Sequence, residues 1–476
     1  MRAGRSGISR IATLAIILLI LAAGSLGVVG VGILYPPLGS AIGLPQYAAG
    51  YPVLWQRTFN GTESTTGVVS GGSFFALSWL SRAVVDKPNW ASYQVSAVGL
   101  TSGSLRWQSP VISLSEFFGA FPQPDDLSSL NFSQFLATPK LYALGNDVFM
   151  VSFISGNYSL GSRSFANSEN SELTLGFDSG NGSLMESEVH PISKSFIADA
   201  FSAVNNGRLF YGDVSYVYQT GEGVLNVTSQ PINDQLKNGT VGAQGRWQTN
   251  VSVPYRGGWG DGYGQVAVSQ RYVVVVLGAS ATNDGGLIVA LRSGDGNLVW
   301  NGTIPGYLPG TTVSVTVVGL VNDTLYYIVP SSSRLIGISL DTGGVQLNMS
   351  AEYGNADLVS GSRLLVNGDV AYSLNGEKLW TANLPSALGG PGPMQAEWID
   401  GPWIFSDTLG LMVVNGLPES TVALAILNVT NGKFLWTHSL QESSSFRAIA
   451  LGGTHFLFEW NGKMVCTDLT KLGLSG

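Results

Sequence analysis

An all-β chain of repeated four-stranded units behind one membrane-spanning segment is what this sequence predicts, and three observations predict it. Glycine is abundant at 62 residues, while charged residues make up 11% of the chain and hydrophobic ones 45%. That balance excludes a disordered chain, which needs low hydrophobicity and high charge, and a helical bundle, which needs Ala, Glu, Lys and Leu with few glycines. A strand–glycine turn–strand pattern recurs along the chain, and a long uncharged apolar run stands at the N-terminus.

Residues 1–10 form a basic tail carrying Arg2, Arg5 and Arg10, and residues 11–34 form an uncharged stretch of 24 residues. At about 1.5 Å per residue such a helix crosses a hydrocarbon core of about 30 Å. Basic residues before the span and none close after it place the N-terminus in the cytoplasm and the rest outside, as a single-pass protein of the cell membrane. A cleaved signal peptide is the competing reading, with Ile11 to Leu21 as its apolar region and Ala22-Ala23-Gly24-Ser25 as its cleavage site. Apolar residues continuing through Val28, Val29, Val31, Ile33 and Leu34 favour the uncleaved anchor. Residues 35–50, with Pro36, Pro37 and Pro45 among Gly and Ala, read as a stalk, and residues 51–476 as the folded domain.

Export also fits the N-x-[ST] sequons, which mark acceptors for N-glycans on exposed segments of secreted proteins. Eleven occur, at Asn60, Asn131, Asn157, Asn181, Asn226, Asn238, Asn250, Asn301, Asn322, Asn348 and Asn428.

Composition removes several reaction classes. Cys466 is the only thiol, so an intrachain disulfide, a CxxC pair and a zinc ribbon are all excluded. His190, His438 and His455 lie far apart without metal-ligand spacing, and no metal site is expected. The nucleophile elbow, the P-loop and the dinucleotide fingerprint are absent, so no catalytic residue is assigned. The net charge of −8 and the lack of a Lys/Arg cluster speak against nucleic acid as a partner.

The repeat itself reads small, apolar, variable, three turn residues, Gly, three residues and Trp. It stands at Ala97-Val98 to Gly103 and Trp107, at Ala290-Leu291 to Gly296 and Trp300, and at Ile426-Leu427 to Gly432 and Trp436. Weaker copies run from Gly176-Phe177 through Gly182, from Gly337-Ile338 through Gly343 to Leu347, and from Ala371-Tyr372 through Gly376 to Trp380. Each is a strand, a tight turn whose Gly accepts a positive φ, and a second strand opening on a bulky apolar residue. Further strand-like runs precede each copy, such as Thr312 to Val318, Thr324 to Val329 and Arg334 to Leu340, making four strands per unit. The Trp-equivalent positions 107, about 186, 247, 300, 347, 380 and 436 are spaced near fifty residues, the period of propeller blades. Trp55 opens a Trp strand with no partner, and Lys463 to Leu469 resembles a first strand with no Trp strand after it. Pairing the two closes the ring as eight blades, with seven as the alternative because the 347 to 380 interval is short.

This signature resembles the PQQ-like repeat of quinoprotein alcohol dehydrogenases and of the non-enzymatic outer-membrane assembly lipoproteins that share their propeller. The resemblance covers nearly everything after the stalk. It implies that Trp55, Trp107, Trp247, Trp300, Trp380 and Trp436, with Gly103, Gly296, Gly376 and Gly432, pack blade against blade. In the enzymes it implies a quinone in the axial channel, held by a stacked Trp, a calcium on carboxylate and amide side chains, a catalytic Asp and often an adjacent-cysteine disulfide. That disulfide is impossible here and no Asp is assignable as base, so the non-enzymatic branch without a cofactor is expected.

Two segments remain as candidate binding elements. The glycine-rich stretch 257–264 carries Trp259, Asp261 and Tyr263, fit to stack a sugar or a peptide, or simply to connect blades. The segment from Gln108 to Lys140 concentrates Phe117, Phe118, Phe121, Phe132 and Phe135, either a partner-binding patch or a lid on the ring. The expectation is a membrane-tethered propeller that binds an envelope protein as a scaffold. A PQQ-dependent dehydrogenase and an envelope carbohydrate-binding protein are the alternatives.

Overall fold

The computed structural model describes residues 53–472 apart from the loops 82–91, 114–138, 232–244, 254–263, 279–285, 307–314 and 383–397 and a number of shorter loop segments. The anchor at 11–34 and the stalk at 35–50 lie outside the described residues, as do the five phenylalanines and Trp259, Asp261 and Tyr263.

Eight antiparallel sheets follow one another along the chain. Blade 1 is β2 (Glu63–Ser70), β3 (Ser73–Ser81), β4 (Ser92–Gly99) and β5 (Leu105–Gln108), with the short β6 (Ile112–Ser113) also paired to β4. Blade 2 is β7 (Lys140–Leu144), β8 (Asp147–Ile154), β11 (Asn170–Asp178) and β12 (Leu184–Ser193), interrupted by the hairpin β9 (Ser159–Leu160) and β10 (Arg163–Ser164). Blade 3 holds β13 (Phe196–Asn205) to β16 (Trp247–Val253), with β14 (Arg208–Val217) and β15 (Glu222–Pro231) between them. Blade 4 comprises β17 (Gly264–Val268), β18 (Tyr272–Leu277), β19 (Leu287–Arg292) and β20 (Leu298–Thr303), and blade 5 β21 (Thr316–Val321), β22 (Thr324–Val329), β23 (Arg334–Ser339) and β24 (Val345–Ser350).

Blade 6 is the compact one: β25 (Ala356–Val359), β26 (Arg363–Val366), β27 (Val370–Ser373) and β28 (Lys378–Thr381) are four residues each, which accounts for the short interval after position 347. Blade 7 is β29 (Trp398–Ile404), β30 (Leu409–Leu417), β31 (Thr421–Asn428) and β32 (Lys433–Leu440). Blade 8 takes three strands from the C-terminus, β33 (Phe446–Gly452), β34 (His455–Trp460) and β35 (Lys463–Asp468), and its fourth from the other end of the chain, β1 (Val53–Arg57). The ring therefore has eight blades and closes as the unpaired Trp55 strand predicts.

Burial is graded outward. The middle strands, covered on both faces by neighbouring blades, read as unbroken apolar runs, and every residue of β18 and β22 is buried. Outer strands alternate instead, as in β24, where Leu347 and Met349 turn inward between exposed neighbours. Seven core clusters fill the gaps between successive blades, among them one joining blades 8 and 1 around Trp55, Phe74 and Cys466 and one joining blades 1 and 2 around Trp107 and Phe177. Blades 2 and 3 meet differently: Tyr142 Oη lies 2.8 Å from Ser202 Oγ and donates to the Ser202 carbonyl at 3.0 Å.

One boundary departs from the sequence reading. The first strand of blade 5 runs four residues later than expected at its start and takes in Gly319-Leu320-Val321. Asn322 and Asp323 both adopt positive φ, at 47° and 59°, so two residues suffice for the turn and the three before it stay in the sheet.

Candidate functional site: joints, inner wall and rim

The recurring Trp and Gly are two halves of one inter-blade joint. In five of the eight blades the turn glycine sits under the aromatic of the blade before it. Gly103 faces Trp55, Gly182 faces Trp107, Gly296 faces Trp247, Gly343 faces Trp300 and Gly432 faces Trp380, while Gly376 meets Leu347. Any Cβ at these turns would overlap the ring, and the positive φ, +66° at Gly103 and +75° at Gly182, excludes most side chains independently. Three joints add a hydrogen bond to the carbonyl three residues before the glycine. Trp55 Nε1 donates to Leu100 O at 2.7 Å, Trp107 Nε1 to Ser179 O at 2.7 Å, and Trp247 Nε1 to Ser293 O at 2.9 Å.

Across the sheet four of the aromatics face a small residue, Ala97 for Trp107, Ala290 for Trp300, Ala371 for Trp380 and Ser229 for Trp247, while Trp436 faces Ile426. Trp436 has no turn glycine to meet, because blade 8 breaks its chain at that turn. It packs in the cluster that includes Leu469 and Leu472 of the terminal 3-10 turn, and it stacks on His438 with ring centroids 5.5 Å apart. At the register position of the missing Trp in blade 2 stands Glu186, opposite Gly176.

The inner strands line the axis, and in β17 and β21 their apolar side chains pack sideways against neighbouring blades. In β17, Val266 and Val268 pack towards blade 3 while Ala267 packs towards blade 5. In β21, Val317 and Leu320 face blade 4 while Val318 and Val321 face blade 6. Two inner-strand amides tie neighbouring strands together: Asn205 Nδ2 donates to Val268 O at 3.0 Å, and Gln265 Oε1 accepts the Val317 N–H at 2.5 Å. A calcium-bound quinone needs free carboxylate and amide oxygens converging on the axis. Among the described inner-strand side chains there is no carboxylate, Lys140 and Arg447 are exposed cations, and the Gln265 oxygen is already engaged. Glu63, Asp199, Asp357 and Asp400 also hold inner-strand positions, with side chains outside the described residues.

Between blades 4 and 5, Arg271 pairs with Asp323 and lies 3.6 Å from Asp341, and the Tyr272 hydroxyl donates to Asp341. The two aspartates hold the Arg271 guanidinium charged, with Asp323 the larger influence, and the hydrogen bond to Asp341 raises the Tyr272 hydroxyl above its ordinary range. The Asp295-Gly296-Asn297 hairpin turn is closed by Asp295 Oδ1 accepting the Asn297 N–H at 3.0 Å.

On the rim, the residue two before each Trp-equivalent is repeatedly an exposed apolar one: Leu105 at 41%, Leu184 at 43%, Leu298 at 49% and Val345 at 47%. Val111 and Met185 add to this on blades 1 and 2. Sequence reasoning missed these positions; the repeat marks them, but alternation alone does not tell an exposed edge leucine from a packed one.

Of the sequons, Asn60, Asn131, Asn157 and Asn238 lie outside the described residues. Asn181, Asn250, Asn301, Asn322 and Asn348 are exposed, and Asn428 is half-buried with its Oδ1 accepting the Thr430 N–H at 2.9 Å. Asn226 is a correction: it is buried at 7% in β15, between two paired strands, and is no surface acceptor in the folded chain.

No family model matches this chain, and no curated protein matches it. Among solved structures the chain is similar to BamB from Moraxella catarrhalis, at 14% identity over 88% of this chain and 99% of that one, with a TM-score of 0.44. It is also similar to the quinohemoprotein alcohol dehydrogenase ADHIIG from Pseudomonas putida HK5, at 12% identity over 89% of this chain and 76% of that one, with a TM-score of 0.44. A europium-containing methanol dehydrogenase is similar at 12% identity over 88% of this chain and 78% of that one, with a TM-score of 0.36.

Proposed function

We propose that this chain is a membrane-tethered, extracytoplasmic scaffold that docks an envelope protein on the rim of blades 1 and 2. The observation that carries the reading is the exposed apolar set on these two adjacent blades, Leu105, Val111, Leu184 and Met185. Apolar side chains beside an unpaired outer strand offer a partner both anchoring pockets and a sheet edge. The Phe-rich segment from Gln108 to Lys140 joins these same two blades in sequence. The basic tail and apolar run at 1–34 supply the tether and the orientation.

A photo-crosslinking residue at Val111 or Leu184, in full-length protein in its own membranes, is expected to capture one envelope protein, and the same group at exposed Thr381 of blade 6 to capture none. Leu105→Asp with Leu184→Asp should abolish capture without lowering the melting temperature. Equal capture at all three positions, or none, sinks the reading. A quinone absorbance acquired by purified protein on adding quinone and calcium would favour the dehydrogenase instead.

A further inference from the structure

Three sequons sit on the outermost strands of three consecutive blades: Asn250 on β16, Asn301 on β20 and Asn348 on β24. The outer strands of the other five blades contain none. In an extended strand, residues i and i+2 share a face. A sequon in a strand therefore presents its Asn amide and its Ser/Thr hydroxyl, the two groups the sequon is read by, on one side. In all three cases that side is outward. Asn250 and Ser252 are exposed about buried Val251, Asn301 and Thr303 about half-buried Gly302, and Asn348 and Ser350 about half-buried Met349. The sequon of β15 has the opposite character, with Asn226, Val227 and Thr228 all buried.

We infer that Asn250, Asn301 and Asn348 carry N-linked oligosaccharides, which cover the outer edges of blades 3 to 5 and leave the outer strands of the other five blades, those of blades 1 and 2 among them, without strand-borne sugar. The inference rests on the extracytoplasmic reading above. The co-reactant is a lipid-linked oligosaccharide phosphate, used by a membrane transferase. The Asn Nδ2 attacks the sugar C1, the C1–Nδ2 bond forms as the C1–O bond to phosphate breaks, the lipid phosphate leaves with the electron pair, and a base of the transferase takes the amide proton. Sugar on an outer strand also blocks edge-to-edge pairing with another chain, the hazard of any free sheet edge.

The test is peptide mass mapping of full-length protein purified from its own cells, beside protease treatment of the intact cells. The expected result is a glycan mass on the Asn250, Asn301 and Asn348 peptides, none on the Asn226 peptide, and loss of those masses in the Asn250→Gln, Asn301→Gln, Asn348→Gln variant. A protease-accessible propeller whose three peptides are bare overturns the inference and leaves the extracytoplasmic reading standing, and modification at Asn226 also overturns it. A propeller protected inside intact cells overturns both.

Discussion

Trp55 and Cys466 face each other across the strand pair that closes the ring, and both donate to one acceptor in the next blade, the carbonyl of Leu100, Trp55 Nε1 at 2.7 Å and Cys466 Sγ at 3.5 Å. Cys466 occupies the small-residue position that alanine takes opposite Trp107 and Trp300. The two ends of the chain thus meet at a point that also fastens blade 8 to blade 1.

That arrangement predicts a chemical readout of closure. Burial, helped by the charge of Asp468, pushes the Cys466 thiol up to about 12, and its side chain is fully enclosed, so the folded protein should resist maleimide at pH 7.5. A chain starting at Phe59 loses β1, leaving β35 with a free edge and Gly103 without its aromatic cover. Losing Trp55 alone should cost about 3 to 5 kcal/mol, the range for truncating a large buried aromatic. The Phe59 chain should melt lower than one starting at Tyr51 and label at its single thiol under native conditions. Equal melting and continued protection would mean that the ring closes without β1.

Much of this was legible beforehand because the joint is a local pattern. Gly103 and Trp107 lie four residues apart, so the turn and strand can be read without tertiary knowledge. Their partners cannot: Trp107 docks on Gly182 and Gly103 receives Trp55, contacts set by the stacking of blades. The same limit explains Asn226, whose sequon is indistinguishable in sequence from that of Asn250. Only the order of strands puts one in the third position of its blade and the other at the edge. The rim leucines escaped for the related reason that exposure is decided by the neighbouring blade.

The joint between blades 1 and 2 offers a coupling measurement. Gly182→Ala forces an alanine into a left-handed backbone conformation, which costs about 1 to 2 kcal/mol, and drives its methyl into the Trp107 indole. Trp107→Ala removes the indole, and with it a half-buried hydrogen bond to the Ser179 carbonyl. In the Trp107→Ala background only the backbone strain should remain. Gly182→Ala should therefore cost less there by about 0.5 to 3 kcal/mol, the coupling typical of residues in contact. Additive losses in denaturant unfolding would show that the two do not meet. Trp300→Ala, at a half-buried ring, should destabilise less than Trp107→Ala.

The seam between blades 2 and 3 should be the first to open. Glu186 stands where six blades place a tryptophan and blade 5 a leucine, and Tyr142 makes the described bridge to Ser202. Tyr142→Phe keeps the ring but removes the hydroxyl, at a cost of about 0.5 to 1.5 kcal/mol. Native-state hydrogen exchange should show amides of β7 and β13 gaining exchange in this variant while β18 and β22 keep their protection. A uniform change across all blades would contradict a local seam.

His438 gives the propeller a predicted acid sensitivity. It sits on the outer strand of blade 7, stacked on Trp436, and burial lowers its pKa below the ordinary 6.5 because the imidazolium would lose its hydration there. In the unfolded chain the same side chain protonates as pH falls through about 6.5. Between that value and the lower folded one, the unfolded state binds more protons than the native state. Stability then rises with pH across the window and falls as acid is added. Above the unfolded value both states are neutral at this residue and its contribution is flat. Urea midpoints measured from pH 8 down to pH 5 should hold level at first and then decline. The decline should shrink in His438→Gln, which keeps a polar planar group but does not titrate. An identical decline in that variant would place the acid sensitivity elsewhere in the ring.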